Sequence, residues 1–328
     1  MTLRIGILGA ARIAPAACIR PAGRTEGVEV VALAARDRSR AEAFAAKHGI
    51  PRVHASYENL VADDGIDAVY NPLPNGLHGR WTLAALAQGK HVLCEKPLTA
   101  DAEEARVVAA ATEAAGRVVF EAFHYRYHPL MLAALEVLAS GELGRIERVE
   151  TSMCIPLPLL GDIRYDLGLA GGATMDIGCY AVHLWRTLAG VEPTVSSARA
   201  RLLRPGIDRA MEADLAGPDG ITGRLRCSLL SARLLSLRGR VTGTAGELRL
   251  FNPLGPHVAH ALTVTTPSGR RREHFPKTTT YTYQMAAFRD AVVDGAPFPT
   301  TPTDAVRTME VIDAVYRAAG LEPRRPTV

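Results

Sequence analysis

Leu3-Arg4-Ile5-Gly6-Ile7-Leu8-Gly9-Ala10-Ala11-Arg12-Ile13-Ala14 decides how the first third of the chain folds. Six residues of strand character run into a turn of small residues, and alanine-rich helical sequence follows. Comparable β-branched runs recur at about 28 to 34, 66 to 70, 90 to 93 and 117 to 120, with helical stretches between them. That alternation predicts a parallel sheet with crossover helices, a doubly wound α/β domain. In that setting Gly9 permits the tight turn, Ala11 lets backbone approach an anion and Ala14 lets helix pack on sheet. The turn, with Arg12 and Ile13 inside it, is a G-x-A-x-x-A variant of the dinucleotide-binding fingerprint, its position after a strand and before a helix counting for more than its letters.

The end of the second run reads Ala34-Ala35-Arg36-Asp37-Arg38-Ser39-Arg40. Ala35 stands where a chain selective for NAD carries an acid for the ribose hydroxyls, and Arg36, with Arg38 or Arg40, suits a 2′-phosphate. NADP is therefore the expected cofactor, ahead of NAD. The alternative is that Asp37 is the ribose-binding acid displaced by two residues, with the arginines as solvent-facing helix charges.

Two more loops follow predicted strands on the same sheet edge, where ligands of open α/β sheets bind. Asn71-Pro72-Leu73-Pro74-Asn75-Gly76-Leu77-His78 offers Pro74, Asn75 and His78 to the cofactor, and Cys94-Glu95-Lys96-Pro97 offers Glu95, Lys96 and Pro97. Alone, Pro-Asn-Gly is an ordinary turn and a Glu-Lys pair is usually a solvated ion pair.

Composition narrows the class. At 328 residues the chain suits two domains, divided here into 1–122 and 123–328. A charged fraction of 22% and a net charge of +4 imply neither disorder nor a nucleic-acid field. Arg270-Arg271-Arg272 and Arg324-Arg325 lack interleaved aromatics and read as a solvated turn and tail. Five scattered cysteines without a C-x-x-C pair suggest reduced thiols and a cytoplasmic protein. Apolar runs fall far below the ~20 residues of a membrane span, and the strand-like start leaves no room for a signal core.

Beyond residue 123 the pattern changes. A helix to about Ser140, a strand near 146 to 151, hairpin-like runs from 195 to 275 and helices near 281 to 294 and 303 to 319 predict an α+β domain on a largely antiparallel sheet. Within it, Gly171-Gly172-Ala173-Thr174-Met175-Asp176-Ile177-Gly178-Cys179-Tyr180-Ala181-Val182-His183 places Asp176, Tyr180 and His183 at i, i+4 and i+7, one face of a helix. A carboxylate, a phenol and an imidazole on one face form either an acid/base unit or buried structure. His124 and His128 stand four apart, but Pro129 interrupts and no third ligand lies nearby, so no metal is expected.

Gly9 to Ala14, Pro72-Leu73-Pro74-Asn75-x-Leu77-His78, Glu95-Lys96-Pro97, Glu121 to Pro129 and Gly171-Gly172-x-x-x-Asp176-Ile177-Gly178-x-Tyr180 together resemble the Gfo/Idh/MocA oxidoreductases over nearly the whole chain. Many members carry histidine at the position of Tyr180. Tyrosine there resembles the subgroup of glucose-fructose oxidoreductase, dimeric dihydrodiol dehydrogenase and deoxysugar 3-ketoreductases, which implies NADP. The resemblance implies hydride transfer on a small polyhydroxylated substrate, with Tyr180 as proton donor, Lys96 polarising the oxygen and Asp176 binding Lys96 or sugar hydroxyls. His183 is either a substrate contact or a structural histidine. Tyr125, Arg126, Arg164 and Tyr165 are the expected substrate contacts, and a homodimer or homotetramer through the second-domain sheet is implied, with apolar alternation at 228 to 237 as part of its buried face. A nucleotide-binding regulator on the same fold is the alternative function, disfavoured because it needs no proton donor.

Overall fold

The computed structural model describes residues 2–158, 161–231 and 235–327. The chain forms two compact units, one of Met1–His124, Tyr281–Val306 and Pro326–Val328, the other of Tyr125–Thr280 and Arg307–Arg325.

In the first unit the strands are β1 (Leu3–Leu8), β2 (Val28–Ala34), β3 (Arg52–His54), β4 (Ala68–Asn71), β5 (His91–Cys94) and β6 (Val119–Glu121). They pair in parallel in the order β3-β2-β1-β4-β5-β6. The three-residue β3 is a strand the sequence reading did not foresee, too short to carry a periodic signal. Ile5, Ile7, Val69, Val92, Leu93 and Val119 are all fully buried, as a parallel sheet covered on both faces requires. Strand order reverses between β1 and β4, and a doubly wound sheet opens its ligand crevice at such a reversal. The segment from Tyr281 packs back onto this unit, with Phe288 edge-on to Phe120 and Phe298 stacked on it.

The second unit carries β7 (Ile146–Cys154), β8 (Thr194–Arg204), β9 (Ile207–Ala216), β10 (Thr222–Ser228), β11 (Ser236–Gly243), β12 (Glu247–Phe251), β13 (Ala261–Thr266) and β14 (Gly269–Glu273). Their order is β14-β13-β12-β11-β7-β10-β9-β8, antiparallel except for the β7–β10 pair. One face is apolar, with Val149, Met211, Leu225 and Val241 buried, and the Cys179–Ala189 helix packs on it. The Trp185 indole seals that contact by donating from Nε1 to the Val149 carbonyl at 3.0 Å. The same strands also carry cross-strand ion pairs, Arg224–Asp214 at 2.7 Å, Arg226–Glu212 at 3.5 Å and Arg240–Glu150 at 3.6 Å. Within the predicted stretch 228 to 237, Leu229 is buried, whereas Ala232, Arg233 and Leu234 lie outside the described residues.

Arg270, Arg271, Arg272 and Arg325 are exposed, as a solvated reading expects, but two features of these clusters differ from it. Arg271 makes paired bonds to Glu142 at 2.6 and 2.5 Å from strand β14, not from a turn. Arg324 is only 3% exposed. Among the described residues, no helix is long and apolar enough to cross a membrane.

Two consequences are measurable. Gly223 of β10 faces Val149 in register, and a Cβ there would run into the Trp185 indole. Gly223→Ala should therefore lower stability by about 1–3 kcal/mol, read as an earlier denaturant midpoint in tryptophan near-UV circular dichroism. Glu104 accepts from the Ala100 amide at 2.8 Å, and burial raises its pKa from 4.5 to about 7. Between those values the folded state holds more protons than the unfolded one, so this contribution to stability falls as pH rises and is level above about 7. Glu104→Gln should flatten the change in urea midpoint across that window.

Candidate active site

In the first unit the strand-end loops are tied down by buried polar groups. Gly9 takes φ +89°, and its amide donates to the Ala34 carbonyl at 2.6 Å, drawing the β1 turn onto the end of β2. A Cβ on Gly9 would stand 3.2 Å from Leu73, so glycine keeps this turn close to the next loop. Ala14 is fully buried, while Arg12 and Ile13 are exposed. Asp37 caps the Arg38–His48 helix by accepting the Arg40 amide at 3.0 Å. The Arg40 guanidinium reaches back to the Ala10 carbonyl at 3.0 Å, over the turn, and Arg36 stands exposed at the end of β2.

His78 lies beneath the loops. Its Nδ1 stands 2.6 Å from the Pro97 carbonyl and its Nε2 2.6 Å from the Leu73 carbonyl, so both ring nitrogens face backbone, and the neutral ring donates its one N–H to one of the two. The ring is 1% exposed, and burial pushes its pKa down to about 4 against the pull of the two carbonyls. It joins the Pro74-Asn75 loop to the Lys96-Pro97 loop instead of presenting a nitrogen to a ligand. Asn71 works from the same depth, donating to the His78 carbonyl at 3.1 Å.

Glu95 is no solvated partner of Lys96. It is 9% exposed and accepts from the Tyr70 hydroxyl at 2.9 Å. Burial and the Glu95 charge hold the Tyr70 phenol well above its ordinary pKa, so it stays a donor. Tyr70 was not singled out in the sequence, where it reads as one more buried strand residue. Lys96 is half-buried, and the Lys96–Pro97 bond is cis.

In the second unit the predicted uniform helix is interrupted. Thr174–Gly178 forms a π-helical turn, and the α-helix starts at Cys179. The wider turn changes the angular spacing between Asp176 and the α-helix that follows. Asp176 pairs with Arg164 at 3.1 Å, and Arg164 also binds Asp162 at 2.9 Å. Tyr180 and His183 stay one turn apart on the α-helix, 5% and 2% exposed. The Tyr125 hydroxyl bonds His183 Nδ1 at 2.6 Å, and its ring lies 6.2 Å from that of Tyr180. Tyr125, His183 and Tyr180 are thus brought together, with Arg126 half-buried in the next position along the chain.

Tyr165 is largely packed yet borders the concavity described below. It is 1% exposed and donates to the Leu157 carbonyl at 2.9 Å, which makes it part of the packing behind Arg164. Of the segment 154 to 168 that carries Arg164 and Tyr165, Leu159 and Leu160 lie outside the described residues. A concavity of about 420 Å³ opens beside the rest, lined in part by Asp162, Leu167, Arg204 and Ile207. His128 caps the Pro129–Ala139 helix through Nδ1 and bonds the Pro276 carbonyl through Nε2 at 3.1 Å. Among the described residues, no three His, Cys, Asp or Glu side chains are grouped to hold a metal ion.

Residues 3–123 match the oxidoreductase family model with an NAD-binding Rossmann fold, and residues 131–249 match the GFO/IDH/MocA C-terminal domain. A D-xylose 1-dehydrogenase (NADP(+)) of Haloferax volcanii is 40% identical over 318 residues, 97% of each chain. A dTDP-3,4-didehydro-2,6-dideoxy-alpha-D-glucose 3-reductase of Streptomyces violaceoruber is 34% identical over 97% of this chain and 96% of its own. Among solved structures, the 3-ketoreductase KijD10 of Actinomadura kijaniata, in complex with NADP and TDP-benzene, superimposes with a TM-score of 0.89 at 28% identity, covering 97% of this chain and 98% of the other. The two sheets, the motifs along them and these likenesses agree, and the chain belongs to the Gfo/Idh/MocA family of oxidoreductases.

Proposed function

We propose that the protein is an NADP-dependent oxidoreductase that moves a hydride between the nicotinamide and a carbinol or ketone carbon of a sugar, sugar nucleotide, cyclitol or cyclic diol. The observation that carries this reading is the set Lys96, after strand β5, with Asp176 and Tyr180, on the π-helical turn and the helix that follows it, in a chain whose relatives are named as a D-xylose dehydrogenase and a deoxysugar-nucleotide reductase.

The first unit fits the dinucleotide. Its β1 turn is a cradle that a Cβ on Gly9 would crowd, with Ala11 next to the helix start. Asp37 is engaged as a helix cap, which favours Arg36 and Arg40 as partners of a 2′-phosphate over Asp37 as partner of ribose hydroxyls. Pro74, Asn75, Glu95, Lys96 and Pro97 are assigned to the rest of the cofactor, on loops that His78 and Tyr70 hold from below. Bound nicotinamide supplies or accepts the hydride.

The chain's own residues handle the proton. Tyr180 gives a proton to the nascent alkoxide in ketone reduction and takes it back in the reverse direction. The Lys96 ammonium stabilises charge on that oxygen and lowers the cost of the phenolate. Arg164 holds Asp176 in place for a substrate hydroxyl, and Tyr125 holds the His183 ring beside Tyr180. The remaining assignments are a dinucleotide-binding first domain, a substrate-binding second domain, a homodimer or homotetramer through the second sheet, and a cytoplasmic location consistent with five cysteines outside any disulfide.

With NADPH and a panel of ketoses and keto-deoxysugars, loss of reduced-nicotinamide absorbance is expected for at least one substrate. Tyr180→Phe should cost at least ~10²-fold in kcat/KM, and near-normal turnover would move the proton to another group. His183→Ala should change KM more than kcat. Arg36→Ala should weaken NADPH while sparing NADH, whereas a clear preference of the unaltered enzyme for NADH would overturn the 2′-phosphate assignment.

A further inference from the structure

The Gly171–Thr174 turn, which launches the π-helical turn of Asp176, is gripped by two charged side chains from far along the chain. Asp208 of β9 has no exposed surface. One of its oxygens accepts both the amide and the hydroxyl of Thr174, each at 2.7 Å. The other accepts from Arg324 at 2.7 Å and from the Tyr316 hydroxyl at 3.0 Å. Arg324 also donates from Nε to the Gly171 carbonyl at 2.6 Å, and its guanidinium lies 4.2 Å from the Tyr316 ring centroid. Gly172, at φ +125°, admits no other residue, since a Cβ there would strike the Asp208 carboxylate.

A π-helical turn persists where its surroundings over-determine it. Here the amide that opens the turn is held by an ionised carboxylate, and the carbonyl three residues earlier by a guanidinium. Both charges are buried, so removing either strands the other and releases the turn. Asp176 lies two residues beyond Thr174, and Tyr180 four beyond Asp176.

We propose that Arg324, through Asp208, is a positioning residue for the active site: the C-terminal tail fixes the turn that sets where Asp176 and Tyr180 stand. Its catalytic consequence rests on the oxidoreductase reading above, its structural part does not. A purely structural charge pair would affect stability alone, and the chain supplies its own control for that case. Arg186, in the last turn of the same helix, is equally buried, bonding Glu192 at 2.6 and 2.7 Å and Thr308 at 2.7 Å.

Arg324→Ala, Arg324→Lys and Asp208→Asn are compared with Arg186→Met by hydrogen–deuterium exchange, melting temperature and steady-state kinetics. Arg324→Ala should accelerate exchange in peptides spanning 171–180 while the sheet peptides keep their wild-type rates, and millimolar guanidinium should restore protection. Turnover should fall by about 10- to 100-fold, as small misplacements of catalytic groups do, with KM for NADPH unchanged and kcat recovering with guanidinium. Arg186→Met should lower the melting temperature and keep kcat. Uniform acceleration of exchange across the second unit, or kcat loss tracking melting temperature alike in Arg324→Ala and Arg186→Met, would overturn the proposal. Should Arg324→Ala fail to fold, Arg324→Lys retains the charge without the fork and is read in the same way. If the wild-type protein reduces no substrate, the function reading fails while exchange and its rescue still decide the positioning claim.

Discussion

A carboxylate with no access to water is costly to bury unless its oxygens are answered, and both oxygens of Asp208 are, by Thr174, Tyr316 and Arg324. Much of the second unit follows from it. The partners come from the turn before the Asp176 segment, from the Pro302–Ala318 helix and from the tail, so one charge ties together elements more than a hundred residues apart. Glycine at 172 is forced by the same carboxylate. Hydrophobic burial by the Cys179–Ala189 helix gives the unit its core but is indifferent to small rotations about the helix axis. The polar grip at its start is not.

The first unit applies the same logic to its strand-end loops. His78 spans two backbone carbonyls, and Tyr70 answers Glu95 from within the sheet. Loops at strand ends have no ladder to hold them, so their conformation depends on such buried bonds, each costly to leave unmade. This explains why residues that read as ligand contacts in the sequence turn out to be supports. A histidine three residues after Asn75 is on the right loop, but its ring turns inward toward Leu73 and Pro97.

What the sequence discloses and what it hides divide along the same line. Strands β1, β2, β4, β5 and β6 were legible because each buries a short apolar run, and the hairpins of the second unit because turn residues punctuate alternating patterns. Gly9 could be placed at the β1 turn from the strand-turn-helix pattern around it, whereas Lys96, Asp176 and Tyr180 were singled out through the family resemblance that their motifs carry. The π-helical turn was not legible, since no propensity separates a five-residue turn from an α-turn. Arg324 beside Arg325 has the composition of a solvated tail, and only the fold brings Asp208 to it. Tyr165 and Arg164 are adjacent in sequence, yet one faces the core and the other Asp176.

The pairing of Arg164 with Asp176 has an electrostatic consequence for the acid proposed at Tyr180. A bare carboxylate four residues from a phenol raises the cost of the phenolate. A guanidinium at 3.1 Å from Asp176 cancels much of that field while leaving carboxylate oxygen able to accept from a substrate hydroxyl. The two needs of the site, a fixed acceptor and a phenol free to give up its proton, conflict if Asp176 stands alone and are reconciled once Arg164 shares its charge. Asp162, which accepts from both the amide and the guanidinium of Arg164, holds the arginine to that place.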